Sequence, residues 1–257
     1  VSHAERSYKA HAIVLRARNL GEADKIFTVF SREYGKLDAV AKGVRRPKSH
    51  TIGKLELGVE VALTLHRGRN LEVIVSADIL QSRWDAITQP AAFATAHLMI
   101  ELVDAFCEPE LAMPEIYALL DGALRALGNL PEPRAMIPRF EIRLLDALGV
   151  APHTDDCVRC GAALEGAAWA DLDAGGLSCE RCRPHHADVL ALLAAEVMNF
   201  RALASARTRG SRATLQAVPA AARAIDAFTT YHLGKRPKSS RLVEELGAMQ
   251  APSVSSR

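Results

Sequence analysis

Apolar and polar positions alternate along the first 80 residues and then pass to a helical period. Val59, Val61, Leu63 and Leu65 interleave with Glu60, Ala62, Thr64 and His66, the period of two that predicts a strand with one buried face. Leu71, Val73 and Val75 continue the alternation after Arg67-Gly68-Arg69-Asn70, a run with turn chemistry. Upstream, 11–18, 25–31 and 36–43 read as three further strands, parted by Asn19-Leu20-Gly21 and Glu33-Tyr34-Gly35. Five short strands in so little chain predict a small closed barrel of OB-fold-like type, since closure removes unpaired edges.

Beyond residue 80 the period lengthens. Pro90 opens a helix over 91–107 with Leu98, Leu102 and Phe106 at helical spacing; a proline fits there because its missing N–H would be unpaired anyway. Pro114 opens a second, lined by Ile116, Leu120, Leu124 and Leu127 and ended by Gly128-Asn129. A third runs 133–148 through Ile137, Phe140 and Leu144, stopped by Gly149 and Pro152. Two more are expected at 187–204 and 220–233, with a polar basic loop at 205–218 between them and a disordered tail at 247–257. The expected class is therefore α+β and multidomain: a barrel at 1–80, a helical domain at 81–152 and 187–246, and an inserted cysteine segment at 153–186.

Composition narrows the class. With 49% hydrophobic and 24% charged residues, the 257-residue chain is ordinary for a globular protein and can bury a core without disulfides. No apolar run reaches the ~18 residues of a membrane span. Val1-Ser2-His3-Ala4-Glu5-Arg6 carries charge where a secretory leader needs an apolar run, so export is not expected. The net charge of +2 hides an asymmetry: 14 Lys/Arg against 9 Asp/Glu up to Leu80, then 5 against 10 through Val150. A basic head is the part suited to a polyanion, although imbalances of this size also arise by chance.

The cysteines carry the sharpest signal. Cys157 and Cys160 form one CxxC and Cys179 and Cys182 a second, 18 residues on. Two such knuckles fold around one tetrahedral zinc ion, each sulfur at ~2.3 Å, and leave no open position for water or substrate. The metal is then structural. Two separate redox motifs or an iron–sulfur cluster would use the same residues. Cys107 lies on an apolar helix face and reads as a small buried hydrophobe; His185 and His186 are spare beside a complete four-thiolate shell.

Two basic runs remain. Lys42, Arg45, Arg46 and Lys48 leave a strand into a proline-containing loop, where several cations could meet successive phosphates. Lys235, Arg236, Lys238 and Arg241 follow a helix end at Gly234, where cations also offset the helix dipole. Either run alone reads as a solvated surface; together with a small barrel they point to nucleic acid. Aromatic residues are too few for base-specific reading. No nucleophile elbow, phosphate loop or His-Glu-x-x-His is present, and Asp155-Asp156 reads as a solvated turn, so no enzymatic activity is expected.

The order of parts resembles the RecO family of bacterial recombination mediators over nearly the whole chain. Carrying it are Gly21-Glu22-Ala23-Asp24-Lys25-Ile26, Tyr34-Gly35-Lys36-Leu37 and the run from Ala41 through Ser49. Arg139-Phe140-Glu141 with Leu144-Leu145 and Leu148-Gly149, then Tyr231-His232-Leu233-Gly234 with Lys238-Ser239-Ser240-Arg241, complete it. The resemblance implies a DNA repair protein that binds single- and double-stranded DNA and anneals complementary strands. It also implies work with the partner RecR, and recombinase loading onto strands coated by single-stranded-DNA-binding protein. An RNA-binding or transcription-associated module with barrel and zinc ribbon is the alternative. Members of the family recognise the coat protein's acidic C-terminal tail, whose final phenylalanine needs an apolar pocket and whose carboxylate needs a fixed cation. Arg139 and Arg143, four apart on one helix face, are the candidates, with a solvated outer face as the other reading. A cytoplasmic, nucleoid-associated location follows from the same resemblance.

Overall fold

The computed structural model describes residues 7–46, 53–84, 87, 89–185, 189–205 and 217–250. The first six residues, Lys48, His186, most of the expected loop at 205–218 and the tail from 251 onward lie outside the described residues.

Five strands close the N-terminal barrel: β1 (Ser7–Leu20), β2 (Asp24–Ser31), β3 (Gly35–Ala41), β4 (Glu60–His66) and β5 (Glu72–Gln81). Their order is β1-β2-β3-β5-β4, with β3 and β5 parallel and every other pair antiparallel. That is OB-fold order. β1 is longer than the alternation predicts because it serves two partners. Its first half pairs with β4 and its second with β2, and the register shifts between Val14 and Arg16. Such an irregularity lets one strand bend around a barrel. Ala10, Ala12, Val14, Phe27, Val29, Leu37, Val61, Leu63 and Leu65 fill the interior, each larger one contributing about 1.5–3 kcal/mol relative to exposure.

The outer wall of β1 and β2 is also apolar: Ile13 and Phe30 are fully buried. Helices α1 (Pro90–Phe106) and α2 (Pro114–Leu127) belong to the same unit. The Phe30 ring lies 6.3 Å from that of Tyr117 on α2. Arg16 and Lys36 both reach Asp104 of α1, and Lys36 also donates to the Asp104 carbonyl. Arg83, 4% exposed, ties α2 to the barrel by donating to the Gly58 carbonyl, Glu60 and Asp121.

Gly35 shows why one turn position admits no side chain. Its φ of +71° favours glycine, and a Cβ there would overlap the backbone carbonyl of Leu111 in the α1–α2 connection. The close approach is fixed by Glu110 N–H donating to the Lys36 carbonyl at 2.9 Å.

The expected tail begins too early. Residues 239–250 form a helix, α6 (Ser239–Gln250), which packs on α1. Its N-terminal Lys238 and Ser239 N–H groups donate to the two oxygens of Glu101 on α1, at 2.8 and 2.7 Å. A carboxylate there satisfies unpaired donors and complements the dipole. Burial pushes the Glu101 carboxyl up, but these bonds outweigh it and hold the group below the ordinary range.

Val1–Pro131 with Lys238–Arg257 make one compact unit, and Glu132–Pro237 a second. In the second, α3 (Met136–Ala147), α4 (Ala194–Ser205) and α5 (Pro219–Leu233) pack on one another around Phe200 and Phe228. A three-stranded sheet of β6 (Ala168–Asp171), β7 (Gly176–Ser178) and β8 (Ala191–Leu192) joins them through β8. No helix among the described residues is long and apolar enough to cross a membrane.

Candidate metal centre and nucleic-acid surface

The four cysteines converge as their spacing predicts. The Sγ atoms of Cys157, Cys160, Cys179 and Cys182 all lie within 4.8 Å of one another. Cys160 and Cys179 are 3.8 Å apart, the edge of a tetrahedron with ~2.3 Å metal–sulfur bonds being about 3.8 Å. Each knuckle has a local cause. Gly161, at φ +69°, donates to the Cys157 carbonyl and reverses the first; a 3₁₀ turn over Glu180–Cys182 shapes the second. His153 exchanges backbone bonds with Gly175 and Leu177, which sets the first knuckle against the β6–β7 hairpin. Arg159, inside the first CxxC, is bidentate on the buried Asp171 of β6. Arg201 of α4 holds the Thr154 and Asp155 carbonyls at 2.6 and 2.7 Å, and Asp156 pairs with His153.

The thiols' acidities diverge. Burial raises Cys157, but N–H groups from Cys179, Cys160 and Arg159 outweigh it and bring the thiol to about 6. Cys182 is pushed up to about 12, chiefly by its contact with Cys160 and then by burial. Four crowded sulfurs do not all ionise without a cation among them, so this donor set fits a thiophilic divalent metal. Cys107, 2% exposed, has its thiol pushed up to about 11 by burial and stands apart from the cluster.

The first basic run lies against the β1–β2 turn. Gly43 N–H donates to Asp24 at 2.7 Å, Arg45 N–H to the Ala23 carbonyl, and the Arg45 guanidinium to the Gly21 carbonyl. This stitches the exit of β3 to the turn and leaves Lys42, Arg45 and Arg46 exposed. Lys25, at the start of β2, joins them; sequence reasoning missed it, although barrel order places the β1–β2 turn beside the β3 exit. None of these four has a carboxylate partner among the described residues.

The second run is divided. Lys235 and Arg236 belong to the second unit, Lys238 and Arg241 to the first. Arg241 is bonded to Glu245 one turn on, at 2.7 Å. On α3, Arg143 is exposed and Arg139 half-buried, and neither has an ion-pair partner among the described residues. No large apolar side chain of α3 is exposed beside them. Glu141, between them, is fully buried, with Oε2 unpartnered.

Known proteins resemble the chain over most of its length. The sequence profile for the N-terminal part of recombination protein O matches residues 6–83, and that for its C-terminal part residues 88–241. A DNA repair protein RecO of Bifidobacterium longum is 32% identical over 243 residues, 92% of this chain and 98% of the relative. One from Cutibacterium acnes is 33% identical over 254 residues, 93% and 99% of the two chains.

Proposed function

The chain belongs to the recombination protein O family, and from that premise we propose that it is a non-enzymatic mediator that binds and anneals single-stranded DNA. Membership supports a role in DNA repair. The observation that carries the finer reading is the barrel end where the β3 exit is stitched to the β1–β2 turn. Lys25, Lys42, Arg45 and Arg46 stand there without carboxylate partners among the described residues, on an OB-type barrel whose turns commonly meet oligonucleotides. Lys48, outside the described residues, is the remaining candidate of the first run, and Lys235, Arg236, Lys238 and Arg241 are secondary candidates. Phosphates neutralised there release counterions, so affinity falls with salt.

Arg45→Ala/Arg46→Ala protein should bind a labelled single strand more weakly, with the slope of log K against log salt flatter by about 0.7 for each lost contact. Annealing of complementary strands should slow with it. Unchanged affinity and slope would place the surface elsewhere. The same titrations with RNA decide against the alternative of an RNA-binding or transcription-associated module, which RNA preference without annealing would favour.

The four thiolates hold one structural zinc ion in this reading, which elemental analysis of fresh protein tests; absence of zinc would overturn it. The family also supports association with RecR in the cytoplasm at the nucleoid, and loading of recombinase onto strands coated by single-stranded-DNA-binding protein. For the coat protein's acidic tail, Arg139 and Arg143 supply two forks with no ion-pair partner among the described residues. A tail peptide should bind folded Arg139→Ala and Arg143→Ala proteins more weakly, and equal affinity would move that contact off α3.

A further inference from the structure

The cysteine shell is open on one side. Cys160 is exposed, Cys179 and Cys182 are half-buried, and Cys157 is only 1% exposed. The exposed sulfur sits at the tip of the first knuckle, between the exposed Arg159 and Gly161. It lies 3.8 Å from the Cys179 sulfur on the other knuckle. The fifth cysteine, Cys107, is buried and belongs to the first unit. A dissolved oxidant therefore meets Cys160 first, with a second thiolate close enough to act on the product.

We propose that this shell is a redox switch for the second unit, in which a hydroperoxide oxidises Cys160 and Cys179 closes a cross-knuckle disulfide on it. The inference rests on reading the cluster as a structural zinc site, and adds the condition under which that site opens. The Cys160 thiolate attacks the peroxide O–O bond and becomes a sulfenic acid, the other oxygen leaving as hydroxide. The Cys179 thiolate then forms the S–S bond, displacing the sulfenic oxygen as a second hydroxide. Two protons turn the hydroxides into water, and the two sulfurs have given the peroxide two electrons. With two of its four ligands joined to each other, the shell releases its ion. The neighbouring thiolate makes the step reversible, because a sulfenic acid without one passes on to irreversible acids.

Opening the shell reaches the helices by three routes. Cys179 follows directly on β7, which pairs with β6 at Trp169–Ser178, and β6 pairs with β8, which packs on α4 and α5. Ahead of the first knuckle, Arg201 of α4 holds the Thr154 and Asp155 carbonyls. Tyr231 of α5 donates to Asp173 in the β6–β7 hairpin at 3.1 Å. Both knuckles are thus tied to the helices that stack Phe200 on Phe228. Every residue in these routes lies within Glu132–Pro237, so oxidation acts on the second unit.

The test treats zinc-loaded full-length protein with a molar excess of hydrogen peroxide. A chromogenic chelator reads free zinc, peptide mapping locates disulfides, and limited proteolysis reports the second unit. Wild type should lose its one zinc per chain, form a Cys160–Cys179 disulfide first and become cleavable within 132–237, while Cys107 stays a free thiol. A thiol reductant with added zinc should restore protease resistance. Cys160→His keeps a four-ligand shell without the exposed thiolate, and should hold its zinc at the dose that empties wild type. Zinc retained by wild type, a first disulfide other than Cys160–Cys179, irreversible oxidation of Cys160, or a Cys160→His protein that empties as fast as wild type overturns the switch and leaves the structural site standing. Fresh protein without zinc overturns both.

Discussion

Gly35→Ala should be among the most damaging single-methyl additions to the first unit. Two costs combine. At φ +71° an L-residue is strained by about 1–2 kcal/mol. The new Cβ also overlaps the Leu111 carbonyl, so the α1–α2 connection must move. That motion stretches the Glu110-to-Lys36 backbone bond, whose loss costs about 0.5–1.5 kcal/mol. The sum is about 1.5–3.5 kcal/mol. Gly21→Ala is the control, because Gly21 has a similar φ of +58° with nothing within 4 Å of its Cβ; only the strain remains there. The chain's two tryptophans make the assay selective, since Trp84 lies in the first unit and Trp169 in the second. In a Trp169→Phe background, urea unfolding followed by fluorescence reports the barrel unit alone. Gly35→Ala should lower the midpoint well beyond Gly21→Ala with an unchanged slope. If the two variants are equally stable, the close approach of the Leu111 backbone contributes nothing and the reasoning fails.

Cys157→Ser should abolish stoichiometric zinc and loosen the second unit, since structural zinc contributes of order 10 kcal/mol of binding energy to such folds. Trp169 fluorescence should change while Trp84 and the salt slope of DNA binding do not; retained zinc with unaltered Trp169 emission would contradict the structural role. Glu141 gives a pH prediction. Burial, and then the charge of Asp226, push its carboxyl well above the ordinary 4.5. The folded state keeps a proton that the unfolded chain releases, so this contribution is full below the ordinary carboxylate range and is lost as pH rises toward the folded value. Glu141→Gln should therefore gain stability relative to wild type as pH rises above the ordinary carboxylate range. A stability difference that stays flat as pH rises above that range would show the carboxyl is not held neutral.

What the sequence exposed and what it hid divide along the range of the interaction. The alternation in 59–66 marks β4 because a half-buried strand writes its two faces locally. The knuckles at Cys157–Cys160 and Cys179–Cys182 are legible for the same reason: each pair's geometry is set by its own few residues. β1 is read short because its register shift breaks the alternation and its last five residues are exposed. α6 is missed because its start is completed by Glu101, more than 130 residues away in sequence. Glu141 sits in a helical stretch beside two arginines and looks like surface; it is buried in the unit where α3 packs on α4 and α5.

The charge count shows the same limit at the site. Up to Leu80 the chain carries 14 Lys/Arg, yet a cation bound to a carboxylate has already given up much of what it could offer a phosphate. Asp104 alone takes Arg16 and Lys36, from across the α1 packing contact. Asp38 and Asp78 take Arg18 and Lys54. Composition counts all of these equally, whereas the fold leaves Lys25, Lys42, Arg45 and Arg46 without a carboxylate partner among the described residues. The basic run around Arg45 was visible because its members are sequence neighbours. Lys25 was not, since it is a single cation at the start of a strand. Strand order brings it beside the β3 exit, so the surface is set by where carboxylates are withheld as much as by where cations are placed.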